Sequence, residues 1–497
     1  MALTAALLGW MFDGAEMGVF SMVGRPAIKD LLKTDDPNTI ALWFGVVTAG
    51  FLVGAATGGV LFGWLGDRIG RVRAMTLSVL VYALFTGLCG IAGTAWQVGT
   101  LRFIAALGMG GEWSLGVALV MEVWPNRSRA FMAGLIGAAA NVGYLLVGVV
   151  GLGLAAVLSD MGRWLLAIGL SEETVQWLVA NQGWRLMLIL GTTPALLTFL
   201  IRLFVPESER WQQEQERGAT SSWATRDLLG VVIGALGPAM IIFLWIDRAE
   251  PYSTPIRIGG TLLGLAIATI GYTYPVVRYL QRQNVSGAAH AIGPTLQRML
   301  LGAALAGVAL LVTWGATQWI PLYADQITNS KVQAKEYSQI WSAIGAIVGT
   351  IGAALLGDLL GRRVTYCILC VTGFLSIVLL FQFNHLYGNM FLASTFAVGM
   401  CTASFYGWLP LYLPELFHTN VRATGQGFSF NFGRILAAVG ALQTANLMGL
   451  FKNDFIAGGF TVRGGFPLAC TAISMIYLVG ALLIWFAPET KGKPLPD

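Results

Sequence analysis

Gly63-Trp64-Leu65-Gly66-Asp67-Arg68-Ile69-Gly70-Arg71 is a short polar loop between two long apolar runs. It returns as Leu356-Gly357-Asp358-Leu359-Leu360-Gly361-Arg362-Arg363. Two further motifs recur in the same order and at nearly the same offset. Glu122 with Arg129-Ala130 answers to Glu415 with Arg422-Ala423, and Pro206-Glu207-Ser208 answers to Pro488-Glu489-Thr490. Three motifs repeated in one order indicate two related halves. The glycines let a tight loop turn and approach a neighbouring helix. Asp67 can cap a helix end or pair with an Arg of its own half. A single copy would read as a static basic loop with turn glycines. Two copies suit a machine whose halves rock about a central site and latch in only one state. The candidate gating set is Asp67, Arg68, Arg71, Asp358, Arg362, Glu122, Arg129, Glu415 and Arg422.

Composition sets the environment of that loop. Of 497 residues, 56% are hydrophobic and only 11% charged, whereas a soluble domain carries about 25% charged residues. A single water-soluble domain, a disordered chain and a disulfide scaffold are excluded. A polytopic helical membrane protein fits. Apolar runs long enough to cross a bilayer fall near 3–24, 40–63, 74–94, 97–122, 131–158, 184–205, 228–246, 257–277, 299–320, 339–357, 364–383, 390–412, 424–448 and 466–487, fourteen in all. The pair at 228–277 has no counterpart in the repeat and reads as an insertion. The expected organisation is a first six-helix half at 1–211, a polar loop plus two inserted helices at 212–297, and a second six-helix half at 298–497.

More Lys and Arg fall on the Arg68/Arg362 side than on the other, which places both termini in the cytoplasm of a cell-membrane protein. The net charge of +5 then reflects basic cytoplasmic loops and not nucleic-acid binding. Asp13 interrupts the first apolar run, so the first helix is expected to be retained and not cleaved as a signal. Ser171-Glu172-Glu173-Thr174 reads as an N-capped amphipathic turn covering the outer rim. Cys367 and Cys370 have a CxxC spacing, but with no second Cys/His pair nearby they read as small helix residues.

GWLGDRIGR, its echo GDLLGRR, PESERW and PETKGK resemble the signature loops of the major facilitator superfamily, over essentially the whole chain. GMGGEWSLGVALVMEVWPNRSRA resembles the sialate:proton and metabolite:proton symporters. Asp13-Gly14-Ala15-Glu16 is similar to the Asp-Gly-x-Asp of the aromatic-acid:proton symporters, with Glu in place of the second Asp. The two inserted spans resemble the fourteen-span plan of the sialate group. PETKGKPLP and LPELFHTNVRATGQG resemble the wider sugar and organic-ion porters. The resemblance implies an all-α major facilitator fold and alternating access, and no enzyme activity.

A charge in hydrocarbon costs at least about 2.5–3.5 kcal/mol, so an ionisable group inside a span is a functional candidate. Asp13 and Glu16 lie three residues apart, on nearly one helical face. Two close carboxylates resist joint ionisation, so one can hold a proton; the alternative is a fixed pair with Arg102 or a Lys. Glu112 follows Gly108, Gly110 and Gly111, where the backbone can come close to a neighbour or a ligand. Family resemblance makes it a proton-coupling candidate; a structural hydrogen bond is the alternative. Arg434 falls near the middle of its span and suits two-pronged carboxylate binding, or else a fixed pair with an acid of its own half. Arg102, Asn431, Asn141 and Gln318 complete the substrate-binding candidates. Trp43, Trp113, Trp245, Trp314, Trp319 and Trp408 are candidate stacking groups, although most tryptophans should serve packing or the membrane interface. No Walker loop, clustered metal ligands or catalytic triad appear, so the expected driver is a proton gradient with no cofactor or metal.

The reading is a monomeric secondary transporter that carries a small organic anion with a proton. A sugar acid such as sialate, or an aromatic or short carboxylate, is the expected substrate class. A proton-independent facilitator of a neutral sugar and a non-transporting nutrient receptor are the rivals; direction of transport stays open.

Overall fold

The computed structural model describes residues 2–496, apart from 124–127, 193–198, 200–206, 208, 217–223, 247–251, 286–291, 330–331, 385, 419–420 and 458–459. The first half contains α1 (Ala2–Leu32), α2 (Pro37–Ile69), α3 (Arg71–Cys89), α4 (Ala95–Val123), α5 (Arg129–Ala167) and α6 (Glu172–Leu190). A short α7 (Glu209–Glu216) precedes the pair α8 (Leu228–Ile246) and α9 (Thr254–Val285). The second half comprises α10 (Ile292–Gly315), α11 (Ile320–Thr328), α12 (Ala334–Leu360), α13 (Arg362–Val378), α14 (Asn389–Thr402), α15 (Phe405–Tyr412), α16 (Arg422–Leu450), α17 (Phe466–Ser474) and α18 (Ile476–Leu483).

Among the described residues, eleven stretches are long and apolar enough to cross a membrane. Those eleven omit α1 and α16, which are 31 and 29 residues long. Both give up apolar positions to Asp13 and Glu16, and to Gln426, Asn431 and Arg434. The expected span at 184–205 lies largely outside the described residues.

Two details depart from the sequence expectation, and one expected helix is found. The span expected to end near 320 breaks at Ala316 and resumes as α11 to Thr328. The helix after Ser171 is present and capped, the Ser171 hydroxyl accepting from the Thr174 N–H at 3.3 Å. It ends in a left-handed run, Asn181–Gly183, that reverses the chain into the next span. The all-helical reading also meets one exception. Phe455–Ala457 and Phe460–Val462 form an antiparallel hairpin beyond α16, with Phe455 opposite Val462.

Small residues decide which helices meet. Gly54 and Gly58 of α2 face α4, and a methyl at Gly58 would fall onto the Leu107 carbonyl. One helical step round, Gly59 and Gly63 face Asn431 and Thr424 of α16. The two overlapping GxxxG stripes therefore hold α2 against its own half on one side and against the other half on the next. Gly14 and Gly143 bring α1 and α5 to backbone contact in the same way. The halves meet along two seams, α2 with α16 and α5 with α12. The inserted α8 and α9 pack on each other and on the lipid side of the first seam, where Tyr272 and Thr57 share a hydrogen bond of 2.7 Å.

Candidate functional site

The repeated loops lie on one face, called here the motif face. Gly70 and Gly361 have φ of +112° and +96°, the left-handed region open to glycine. Each starts a helix, and each leaves room for a carboxylate. Glu207 accepts from the Arg71 N–H at 2.9 Å and from the Val72 N–H at 3.1 Å. Glu489 accepts from the Arg362 and Arg363 N–H groups at 3.0 and 3.1 Å. The third repeated motif thus caps the helix that follows the first, once per half. Sequence reasoning found both Pro-Glu copies and missed this role. Burial pushes the Glu489 carboxyl up, but the N–H groups of Arg362, Arg363, Lys491 and Thr490 outweigh it and hold it below the usual carboxylate value.

Contacts of this loop system cross between the halves, among them the Arg129 bond to the Lys493 carbonyl at 3.4 Å. Asp67 takes a 2.5 Å bond from Arg71 of its own half and accepts the N–H and hydroxyl of Thr424 at the start of α16. Glu415 receives Arg129 of the first half at 2.7 Å and Arg362 of the second at 2.7 and 3.1 Å. Arg68 bonds Thr225 at 2.5 Å, Arg422 bonds the Phe417 and Pro496 carbonyls, and Asp358 pairs with Arg362 at 3.5 Å while largely exposed. The Glu122 side chain lies outside the described residues.

A cavity of about 110 Å³ lies between the halves. Asp13 of α1 and Arg434 of α16 both line it, and the Asp13 charge acts on Arg434. Arg434 is buried; its Nε and Nη1 have no hydrogen-bond partner among the described residues. Its guanidinium lies 5.2 Å from the Phe430 ring centre. Asn141 and Gln318 line the same space. The Asn141 amide donates to the Gly137 carbonyl at 2.8 Å, and the Gln318 oxygen accepts the Ser21 hydroxyl at 2.6 Å.

The remaining candidates point elsewhere. Glu16 pairs with Arg102 at 3.1 Å, and Arg102 is clamped between the rings of Phe20 and Phe51 at 4.3 and 4.6 Å. The alternative of a fixed pair with Arg102 is thus what the structure shows for Glu16, and Asp13 and Glu16 do not share a site. Arg102 lines a smaller space beside Ser21, Gln318 and Trp314. Asn431 donates to the carbonyls of Gly110 and Gly427 at 3.2 and 2.9 Å, so it ties α16 to α4. Glu112 is wholly buried on α4, away from the cavity lining.

Aromatic groups form the walls. Trp113 and Phe430 stack across the halves at 3.7 Å and 6°; Trp10, Trp314, Tyr144 and Tyr406 also line the space. The Tyr406 hydroxyl shares a 2.8 Å bond with Thr313. Of the singled-out tryptophans, Trp113 and Trp314 reach the cavity. Trp43 packs on Trp96, Trp319 on Phe44, Trp408 on Tyr366 and Tyr412, and Trp245 bonds Thr261. Tyr144 and Tyr406 were not singled out from sequence: a tyrosine in an apolar run carries no signal for where its hydroxyl points.

The family model described as "Sugar (and other) transporter" matches residues 1–230 and 281–497. The chain belongs to this family of the major facilitator superfamily. The match passes over 231–280, where α8 and most of α9 lie. Among relatives, the cis,cis-muconate transport protein of Acinetobacter baylyi is 24% identical over 96% of this chain and 94% of its own. The niacin transporter NiaP of the same organism is 25% identical over 98% and 93%. The fold matches the E. coli proton:xylose symporter XylE with a TM-score of 0.62 at 18% identity, covering 99% of this chain and 97% of XylE. As a member of this family the chain is a multi-pass membrane transporter and not an enzyme.

Proposed function

We propose that this transporter moves a small organic anion together with a proton, by alternating access between the two seams. The observation that carries the reading is Arg434: a buried guanidinium on the wall of a cavity lined by aromatic, small and polar side chains, two nitrogens unbonded, with Asp13 as the acid acting on it. A guanidinium offers a rigid two-donor fork to a carboxylate. Asp13 competes for the same cation. When Asp13 takes up a proton it loses its charge, and Arg434 is released to grip the substrate carboxylate. When Asp13 gives the proton up, it reclaims Arg434 and the anion leaves. Coupling follows because one cation serves two acids in turn.

The aromatic side chains of the walls offer faces on which a flat, unsaturated or ring-bearing carboxylate can stack, beside polar groups such as Asn141, Thr313, Gln318 and Ser342. The muconate and niacin specificities named for two relatives support that class. A neutral-sugar facilitator would leave Arg434 buried with no anion to hold. We place the motif face in the cytoplasm, from the excess of Lys and Arg there. We count fourteen spans, α8 and α9 being the inserted pair, and take the monomer as the working unit.

The test is uptake of nicotinate and cis,cis-muconate into proteoliposomes, beside a thermal-shift panel of carboxylates and sugar acids. Arg434→Lys and Arg434→Ala should abolish uptake and ligand-induced stabilisation while membrane insertion stays normal. Normal uptake by Arg434→Ala refutes the reading.

A further inference from the structure

A second, larger opening of about 680 Å³ lies between the halves on the face opposite the motif loops. One buried acid on its wall has no part in the scheme above. Glu336, in the first turn of α12, is 5% exposed. Its Oε2 has no hydrogen-bond partner among the described residues, and its other oxygen meets Lys335 only at 3.6 Å. Its side chain packs beside Gly151 of α5. A buried carboxylate oxygen without a donor is costly, and a proton on that oxygen removes the cost by supplying the donor itself.

Polar groups lie inward of this acid. Gln339 lies one turn further along α12 and, like Glu336, packs against α5. It donates to the Tyr144 carbonyl at 2.9 Å, while its own oxygen is buried without a partner. That oxygen is an acceptor waiting for a donor one turn from Glu336. The Tyr144 hydroxyl reaches Gln318 at 3.5 Å, and Tyr144, Gln318 and Asp13 all line the central cavity. In this conformation the 2.6 Å Ser21–Gln318 bond lies between the vestibule and the cavity, since Ser21 lines the first and Gln318 the second.

We propose that Glu336 is the proton-loading group of the transporter, taking a proton from the vestibule and giving it up to water that reaches Asp13 past Ser21 and Gln318. The inference rests on the proton-coupled reading above. The carboxylate of Glu336 gains one proton from the vestibule solution. When the Ser21–Gln318 bond parts, that O–H breaks, water carries the proton inward, and Asp13 gains it while Glu336 returns to the anion. The charged groups facing the vestibule with Glu336 are Arg25 and Lys29 of α1, Asp35, Asp325 of α11 and Lys335. Arg25 pairs with Asp325 and Lys29 with Asp35, so the charge left facing Glu336 among these groups is that of Lys335, which an incoming proton must oppose.

Infrared difference spectra of the full-length protein in liposomes, taken between alkaline and acid pH, read this directly and need no substrate. The wild type should gain a protonated-carboxyl band that Glu336→Gln loses, Glu336→Asp retains in shifted form and Asp13→Asn leaves in place. In parallel, nicotinate-driven proton entry should be lost in Glu336→Gln while nicotinate counterflow, which needs no net proton movement, stays at the wild-type rate. An unchanged spectrum in Glu336→Gln overturns the proposal, as does undiminished proton entry. A Glu336 band with no proton entry in the wild type leaves Glu336 a proton site and sinks the coupled-transport reading instead.

Discussion

Arg129→Gln removes bonds that tie the halves on the motif face. Arg129 donates to Glu415 at 2.7 Å, and both side chains are buried. Glu415 keeps Arg362 at 2.7 and 3.1 Å and the hydroxyl of Thr490 at 2.5 Å, so no carboxylate is left without a donor. The charge-assisted hydrogen bond to Glu415 contributes about 1.5–3 kcal/mol, and a longer bond to the Lys493 carbonyl at 3.4 Å goes with it. In the proposed cycle these bonds are made only while the motif face is closed, so the whole loss falls on the closed state. At 1.4 kcal/mol per decade, the open fraction should rise by about 10- to 150-fold. Ser114 reports it: its carbonyl accepts the Gln426 amide of the other half at 2.8 Å, and its side chain is fully buried. A cysteine introduced there should react with a maleimide faster by that factor in the Arg129→Gln background, read peptide by peptide so that the five native cysteines do not intrude. An unchanged rate in a protein that melts normally would show that Arg129 and Glu415 do not latch the halves.

Arg102→Met takes the guanidinium from between Phe20 and Phe51 and leaves the buried Glu16 carboxylate without its cation; breaking a buried pair costs about 3–5 kcal/mol. Thermal unfolding should show that loss, and most of it should return when Glu16→Gln is added; a single variant as stable as the parent contradicts the pairing. Phe430→Ala removes the stack on Trp113, worth about 0.5–1.5 kcal/mol beyond its buried area. It should raise KM for unsaturated carboxylates more than for saturated ones, and an equal rise for both would remove stacking from the substrate site. Glu489→Gln weakens the cap of α13 by about 1 kcal/mol or less, since the group is largely solvated. Because its folded value lies below the ordinary 4.5, its contribution is present above 4.5 and lost as pH falls through the folded value. The melting gap between wild type and variant should therefore close only in acid; a gap independent of pH would rule out the charged cap.

Much of this architecture was written in the order of the residues. The duplicated loops could be read without coordinates because glycine, aspartate and arginine are conspicuous against apolar spans. Their partners were harder to see. Asp13 and Glu16, like Asn431 and Arg434, are three residues apart, which on a helix leaves an angular offset of about 60°. On a helix between a cavity and a neighbour, that offset separates the pairs. Asp13 and Arg434 face the cavity, Glu16 meets Arg102, and Asn431 ties down α4. The expectation of one shared face failed because spacing gives direction only to within a turn, and partners far along the chain make the choice. Glu336 went unremarked because it sits at a helix start, where an acid reads as an ordinary N-terminal charge.

The central claim is that one buried cation serves Asp13 and a carboxylate in turn. Simultaneous recording of labelled nicotinate and internal pH in proteoliposomes measures this most directly. The account predicts that nicotinate carries protons inward with wild type, and that Asp13→Asn still exchanges nicotinate but moves no protons. Nicotinate accumulation driven by a pH gradient in Asp13→Asn, at the wild-type level, would contradict it.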